Sequence, residues 1–357
     1  MGKNAAKPNI LFILVDDMGW MDLACQGSRF YETPVLDQLA REGMRFTDAY
    51  AACPVCSPTR ASLMSGKYPA RVGVTDWIDH GGTYHPCYGI LVDAPYRKEL
   101  PHSEVSMAQA LREGGYQTWH VGKWHLGLES HYPETHGFEV NIGGCHWGHP
   151  PQGYFSPYGI ATLPDGPDGQ YLTDRLTDEA IRLVRERQTE RPFFLNLWHY
   201  TVHTPIEAKA EDIAYFEEKA RKMGLDTQPA LEEGEPFPTV QKQHLRVTRR
   251  RVQSNPVYAA MIRNLDQNTG KLLEALREEG LLENTLVVFT SDNGGLATAE
   301  GSPTCNAPLS EGKGWMAEGG VREPLLVRWP GVVAPGSLCD TPVTRPDFYP
   351  TFLEAAL

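Results

Sequence analysis

Cys56 is followed by Ser57-Pro58-Thr59-Arg60, so a sulfur atom stands at the opening of a candidate helix with a guanidinium one turn further on. Proline suits a first helical position, because its missing N–H would have no partner there anyway. The N–H groups and positive end of that helix then face Cys56 and any anion beside it. Arg60 adds a rigid fork of donors that matches a tetrahedral oxyanion. Cys53 and Cys56 also form a Cys-x-x-Cys pair, the pattern of a redox couple or half of a zinc site. No second such pair follows, and a small buried apolar role fits Cys53 better.

Further polar groups cluster after apolar runs. Asp16-Asp17 follows the first run, Lys123 and His125 follow Gln117 to Val121, and His203 follows Phe193 to Trp198. Asp292-Asn293-Gly294-Gly295 follows Leu286 to Thr290, and Lys313 lies between two glycines. Asp16, Asp17, Asp292 and Asn293 offer only oxygen, which suits a hard divalent cation, calcium or magnesium, better than zinc. Either pair alone is also ordinary turn chemistry; the two pairs together with Cys56 favour a metal site. Lys123 and His125 share a face if that segment is extended. The glycines beside Lys313 allow close approach to a ligand. His131, His136, His146, His149 and His199 are assigned to structure or surface.

The elements that must carry these groups alternate between apolar runs and amphipathic stretches. Strands are expected at Asn9 to Val15, Gln117 to Val121, Pro192 to Trp198, Thr285 to Thr290 and Pro324 to Trp329. Helices are expected at Val35 to Glu42, Glu104 to Glu113, Asp174 to Gln188, Tyr258 to Glu279 and Pro346 to Leu357. This predicts an α/β sheet sandwiched by helices. Ligands in such sheets bind beyond the carboxyl ends of the strands, where the polar groups above are placed. His131 to Gly169 reads as loops, and residues 207–255 as a charged surface insertion in one catalytic domain spanning 1–357.

Composition narrows the function classes. With 357 residues and a net charge of −12, the chain is a poor non-specific binder of nucleic acid. The basic run Arg246 to Arg251 reads as solvated surface. No apolar run reaches membrane-spanning length, since Ile10 to Val15 stops at two aspartates. The N-terminus has no apolar signal core, so the chain as written reads as cytoplasmic, or as periplasmic or secreted after loss of a leader. Its seven cysteines do not form a disulfide framework for a protein this large.

The ordered set of motifs resembles the type I sulfatases. It runs from Pro8-Asn9-Ile10 through Asp17, Cys-x-Pro-x-Arg at Cys56, Gly122-Lys123-Trp124-His125-Leu126-Gly127 and His203-Thr204-Pro205. It continues through Asp292-Asn293-Gly294-Gly295 and Gly312-Lys313-Gly314 to Glu318-Gly319-Gly320-Val321-Arg322-Glu323-Pro324. The resemblance implies an alkaline-phosphatase-like fold with a large, mostly parallel mixed sheet, and a bound Ca²⁺, with Mg²⁺ as the alternative. It implies metal ligation by Asp16, Asp17, Asp292, Asn293 and Cys56, the last oxidised to formylglycine by a maturation enzyme. Arg60, Lys123, His125, His203 and Lys313 match catalytic and sulfate-binding positions. The implied reaction is attack of the formylglycine hydrate on the sulfur of a sulfate ester. His203, with Lys313, protonates the leaving alcohol, and His125 helps to regenerate the aldehyde. The small C-terminal subdomain usual in the family is expected to be absent or truncated.

The expected substrate is a sulfated carbohydrate, with Trp77, Tyr84, Trp147 and His149 as aromatic and polar loop residues. Competing readings are a phosphonate or phosphodiester hydrolase with the same nucleophile, a non-catalytic sulfated-glycan binder, and a redox or zinc module.

Overall fold

Asn9–Val15 forms strand β1 with every residue buried. Such an unbroken apolar run belongs in a sheet covered on both faces. A computed structural model describes residues 7–357 except 83, 84, 86, 88, 90 and 238; the Tyr84 named above is outside the described residues. The other strands are β2 (Met44–Tyr50), β3 (Gln117–Gly122), β4 (Val140–Ile142), β5 (Phe193–Trp198), β6 (Leu231–Pro236), β7 (Arg246–Arg250), β8 (Thr285–Ser291), β9 (Arg322–Arg328), β10 (Ser337–Cys339) and β11 (Val343–Thr344). The helices are α1 (Pro34–Glu42), α2 (Cys56–Ser65), α3 (Pro69–Val72), α4 (Met107–Glu113), α5 (Leu172–Arg185), α6 (Ala210–Lys222), α7 (Pro256–Glu278), α8 (Glu318–Val321) and α9 (Phe348–Ala355).

The main sheet runs β10-β2-β9-β8-β1-β5-β3-β4, with β11 also on β2. Strands β8, β1, β5, β3 and β4 are mutually parallel, and β9 is antiparallel to both β8 and β2. Alternation along β1 sorts its side chains into two cores. Leu11, Ile13 and Val15 pack with α1, α5, α6 and α7 residues, including Leu36, Leu176, Phe216 and Leu265. Ile10, Phe12 and Leu14 pack with α2, α4 and α9 residues, including Leu63, Leu111 and Phe352. Phe12 meets Phe352 edge-on at 5.3 Å and Trp198 edge-on at 6.3 Å.

The expected strands and helices form within a few residues of their predicted limits. β2, β4, β10 and β11 were not expected: β4 lies within the stretch read as loops, and is a short strand added beside β3, while β2 is half polar, Met-Arg-Phe-Thr-Asp-Ala-Tyr, and is specified by pairing with β9. Residues 207–255 build α6, which buries Phe216 and Ala220, and the β6–β7 hairpin. The basic run lies on β7 and just beyond it, and pairs within the molecule. Arg249 bridges Glu235 and Glu311, Arg246 meets Glu233 and Arg251 meets Glu232. Among the described residues no helix is long and apolar enough to cross a membrane.

Candidate active site

Parallel strands β1, β5, β3 and β8 all end at one edge of the sheet, so the residues after them converge. Asp16 and Asp17 leave β1, and Asp292 and Asn293 leave β8, held by register: the Asp292 N–H donates to Val15 O at 3.0 Å. Asp17 takes a left-handed φ of 63°, which turns its side chain back toward Asn293. Asn293 Nδ2 donates to Asp17 Oδ1 at 2.8 Å, and the Asp17 N–H donates to Asp292 Oδ1 at 3.2 Å. Cys56, the first residue of α2, donates through Sγ to Asp16 Oδ1 at 3.5 Å. Ligand atoms of Asp16, Asp17, Cys56 and Asp292, all four buried, lie within 4.8 Å of one another.

Three cations face this cluster. Arg60 donates from Nε and Nη2 to Asp292 Oδ2 at 3.0 and 2.8 Å, and from Nη1 to Lys123 O at 3.1 Å. The face of Trp198 backs its guanidinium at 5.1 Å. Lys123 Nζ donates to Asp16 Oδ2 at 2.5 Å, and Lys313 Nζ to Asp17 Oδ2 at 2.7 Å. The carboxylates respond in opposite directions. Burial and the neighbouring Asp292 push Asp16 well up, against Lys123 and Arg60. For Asp292 burial acts the same way but Arg60 and Lys123 outweigh it and hold the group down. Lys313 and His203 likewise overcome burial at Asp17. Burial pushes the Cys56 thiol well up, so the unmodified side chain is protonated at neutral pH.

The two histidines have fixed tautomers. His203 Nδ1 donates to Thr204 O at 2.8 Å, so Nε2 accepts from Lys313 Nζ at 2.9 Å. Burial, then Lys313, lowers His203 to about 4. Asp17 and other anions overcome burial at Lys313 and hold it well above its ordinary value. The proton of this pair therefore sits on Lys313. His125 Nε2 donates to Ile78 O at 2.9 Å, leaving Nδ1 as a buried acceptor with no partner among the described residues. Burial, then Lys123, holds His125 well below the usual imidazole value.

A sulfatase family model matches residues 8–356. The chain belongs to the sulfatase family. This sulfatase chain is 32% identical over 381 residues to human N-acetylgalactosamine-6-sulfatase, covering all of itself and 64% of that protein. It is 32% identical to human arylsulfatase A, covering 93% of itself and 61% of the relative. It thus spans under two thirds of the length of these relatives. A crystal structure described as Ps i-CgsB in complex with k-i-k-neocarrahexaose superposes with a TM-score of 0.77 at 32% identity, over 98% of this chain and 72% of that one. The mixed, mostly parallel sheet is the alkaline-phosphatase-like architecture of these neighbours.

The fold brings Asp16, Asp17, Cys56, Arg60, Lys123, His125, His203, Asp292, Asn293 and Lys313 to one edge of the sheet, with two differences of detail from the sequence reading. Pro58 is the third residue of α2, not the first, and Cys56 itself takes the first position. Any of the opening positions suits proline, because none of those N–H groups has a partner inside the helix. Lys123 and His125 do not share a face along an extended segment, since Gly122 and His125 have φ of 102° and 59°. Ser57 was overlooked within the cysteine motif; its Oγ donates to His125 O at 3.0 Å and accepts from the Ile78 N–H at 3.1 Å. Glu300, which accepts from Thr204 Oγ1 at 3.1 Å, was invisible because nothing local marks it. Cys53 and Cys56 are both free thiols, with Cys53 O accepting from Thr59 Oγ1 at 3.0 Å.

Proposed function

We propose that this chain hydrolyses sulfate esters of a sulfated carbohydrate, using formylglycine made from Cys56 by a maturation enzyme and a bound divalent cation. The observation that carries this reading is one buried cluster with two halves. Asp16, Asp17, Asp292 and Asn293 form an oxygen-rich cradle, and Arg60, Lys123 and Lys313 surround it with positive charge. The cradle fits a hard dication: three carboxylates crowd together, Asp16 is pushed toward protonation, and Asn293 Oδ1 is buried with no partner among the described residues. Calcium suits such a donor set, and magnesium is the alternative. Asp16, Asp17, Asp292, Asn293 and the modified Cys56 would hold it. When bound, the cation supplies positive charge to a sulfuryl oxygen.

The formylglycine hydrate supplies the attacking oxygen once the modification is in place. Arg60, Lys123 and Lys313 hold the sulfuryl oxygens and neutralise charge as it develops, from positions already fixed by the fold. The Lys313–His203 pair delivers a proton to the leaving alcohol, with Lys313 carrying that proton in the resting arrangement. His125 Nδ1, neutral and with no partner among the described residues, accepts a proton. The raised thiol of Cys56 supports the need for modification, since a protonated, buried sulfur is a poor nucleophile.

The relatives named N-acetylgalactosamine-6-sulfatase support a sulfated aminosugar as substrate. The test is a screen of sulfated mono- and oligosaccharides, with Cys56→Ala as control and intact-mass analysis of the Cys56 peptide. Turnover is expected only when the peptide carries the aldehyde. Full turnover by Cys56→Ala would refute the assignment. Aryl phosphodiester is run in parallel, because a phosphonate monoester hydrolase shares the fold at a TM-score of 0.59. Faster cleavage of the phosphodiester would favour that rival.

A further inference from the structure

We infer that Trp147 and His149 form the platform on which the sugar ring of the substrate lies. The inference rests on the sulfate-ester reading above. The segment from Cys145 to His149 is pinned to both histidines of the site. The His125 N–H donates to Cys145 O at 3.0 Å. Gly148 lies directly against the His125 ring, where a Cβ would stand 2.6 Å from Cε1. At the far end, the His149 ring is nearly parallel to that of His203, at 17° with 6.4 Å between centroids.

From His203 the rings continue outward. Trp147 lies 5.8 Å from His149, and His146 lies 4.6 Å from Trp147. Tyr132 hydroxyl is 3.0 Å from His146 Nδ1 and steadies that ring. Trp147 remains 37% exposed, a large apolar surface left open beside a buried polar centre.

The direction of this wall decides its occupant. In the reading above, Arg60, Lys123 and Lys313 hold the sulfuryl group, and the Lys313–His203 pair, joined at 2.9 Å, marks the side on which the ester oxygen lies. The leaving group must therefore project past His203, onto His149 and Trp147. A pyranose presents a face of C–H bonds that packs on an indole, while its hydroxyls reach ring nitrogens and water. Burial keeps His146 and His149 below the usual imidazole value, so this wall is uncharged at neutral pH. It suits the sugar itself rather than a further sulfate.

The test measures binding to Cys56→Ala by calorimetry, with N-acetylgalactosamine 6-sulfate and inorganic sulfate as probes. Adding Trp147→Ala is expected to weaken the sugar sulfate about tenfold, and Trp147→Phe to recover most of that loss. Inorganic sulfate, which does not reach the wall, is expected to change less than about twofold. Unchanged sugar binding in Trp147→Ala overturns the platform. So does an equal loss for both probes, which marks a structural role. If the matured protein cleaves no sulfate ester while sugar binding still depends on Trp147, the platform stands and the hydrolase reading falls.

Discussion

Asn293 Oδ1 and His125 Nδ1 are buried acceptors at the site that no protein donor reaches among the described residues. A buried acceptor without a partner costs about 1–3 kcal/mol, so each is best explained by something it receives. For Asn293 the proposed partner is the cation, and Asn293→Ala is expected to weaken calcium binding about tenfold or more. Calcium titration of the variant checks this, and an unaltered affinity would remove Asn293 from the ligand set. Away from the site, burial pushes His120, His136 and His199 down to about 3 from 6.5. Their unfolded forms bind a proton between those values and their folded forms do not. Their stabilising effect is therefore complete above pH 6.5 and is lost as the pH falls toward 3, by about 1.4 kcal/mol per pH unit for each group. Asp266, pushed up to about 7 by burial, acts in the opposite sense between 3.8 and 7. The informative quantity is hence the difference between the protein and His120→Gln in urea unfolding at pH 7.5, 6 and 5. The variant is expected to lose less stability on acidification; parallel profiles would show that His120 does not titrate as argued.

Strand ends and helix starts place these side chains, and glycines set how closely they approach. Gly122 ends β3 with φ of 102°, and a Cβ there would stand 2.0 Å from Trp198 O. The obstacle is backbone, so it cannot rotate away. Gly122→Ala is expected to destabilise the protein by roughly 2–4 kcal/mol and to displace Lys123, which follows it directly. Urea melts and sulfate binding test the two effects, and a neutral variant would show that β3 has slack at this point. Behind the carboxylate cluster, buried Arg345 pairs with Glu323 and donates from Nη2 to Thr290 Oγ1 at 3.0 Å and to Ser291 O. This fastens the end of β8 from which Asp292 and Asn293 emerge. β1 and β8 were legible because long apolar runs need no partner to be recognised. β2 was not, because its polar side chains are tolerated only where β9 pairs with it.

The molecule as a whole holds three crowded carboxylates at a sheet edge, and folding must oppose their repulsion. A cation that binds only the folded form stabilises it by about 2.7 kcal/mol at a hundredfold excess over its dissociation constant. Chelation is therefore expected to lower Tm by about 4 °C and to abolish sulfatase turnover, with calcium restoring both. Thermal melts with and without chelator check this, and an unshifted Tm would argue against a resident cation.

The kinds of group at the centre were readable from local chemistry alone. Aspartates and Asp-Asn-Gly-Gly after apolar runs, a cysteine before a helix-opening proline, and lysines beside glycine are all marked by their immediate neighbours. That positions 16, 56, 123, 203, 292 and 313 share one crevice was expected from their places after apolar runs; which side chain meets which, and at what distance, follows only from parallel strands ending at one edge. Nor could chain order orient the histidines. The tautomers of His125 and His203 are set by Ile78 O and Thr204 O, and the first of these comes from a distant loop. Trp147 and His149 gain their meaning in the same way, from a segment that lies against both histidines only once the chain has folded.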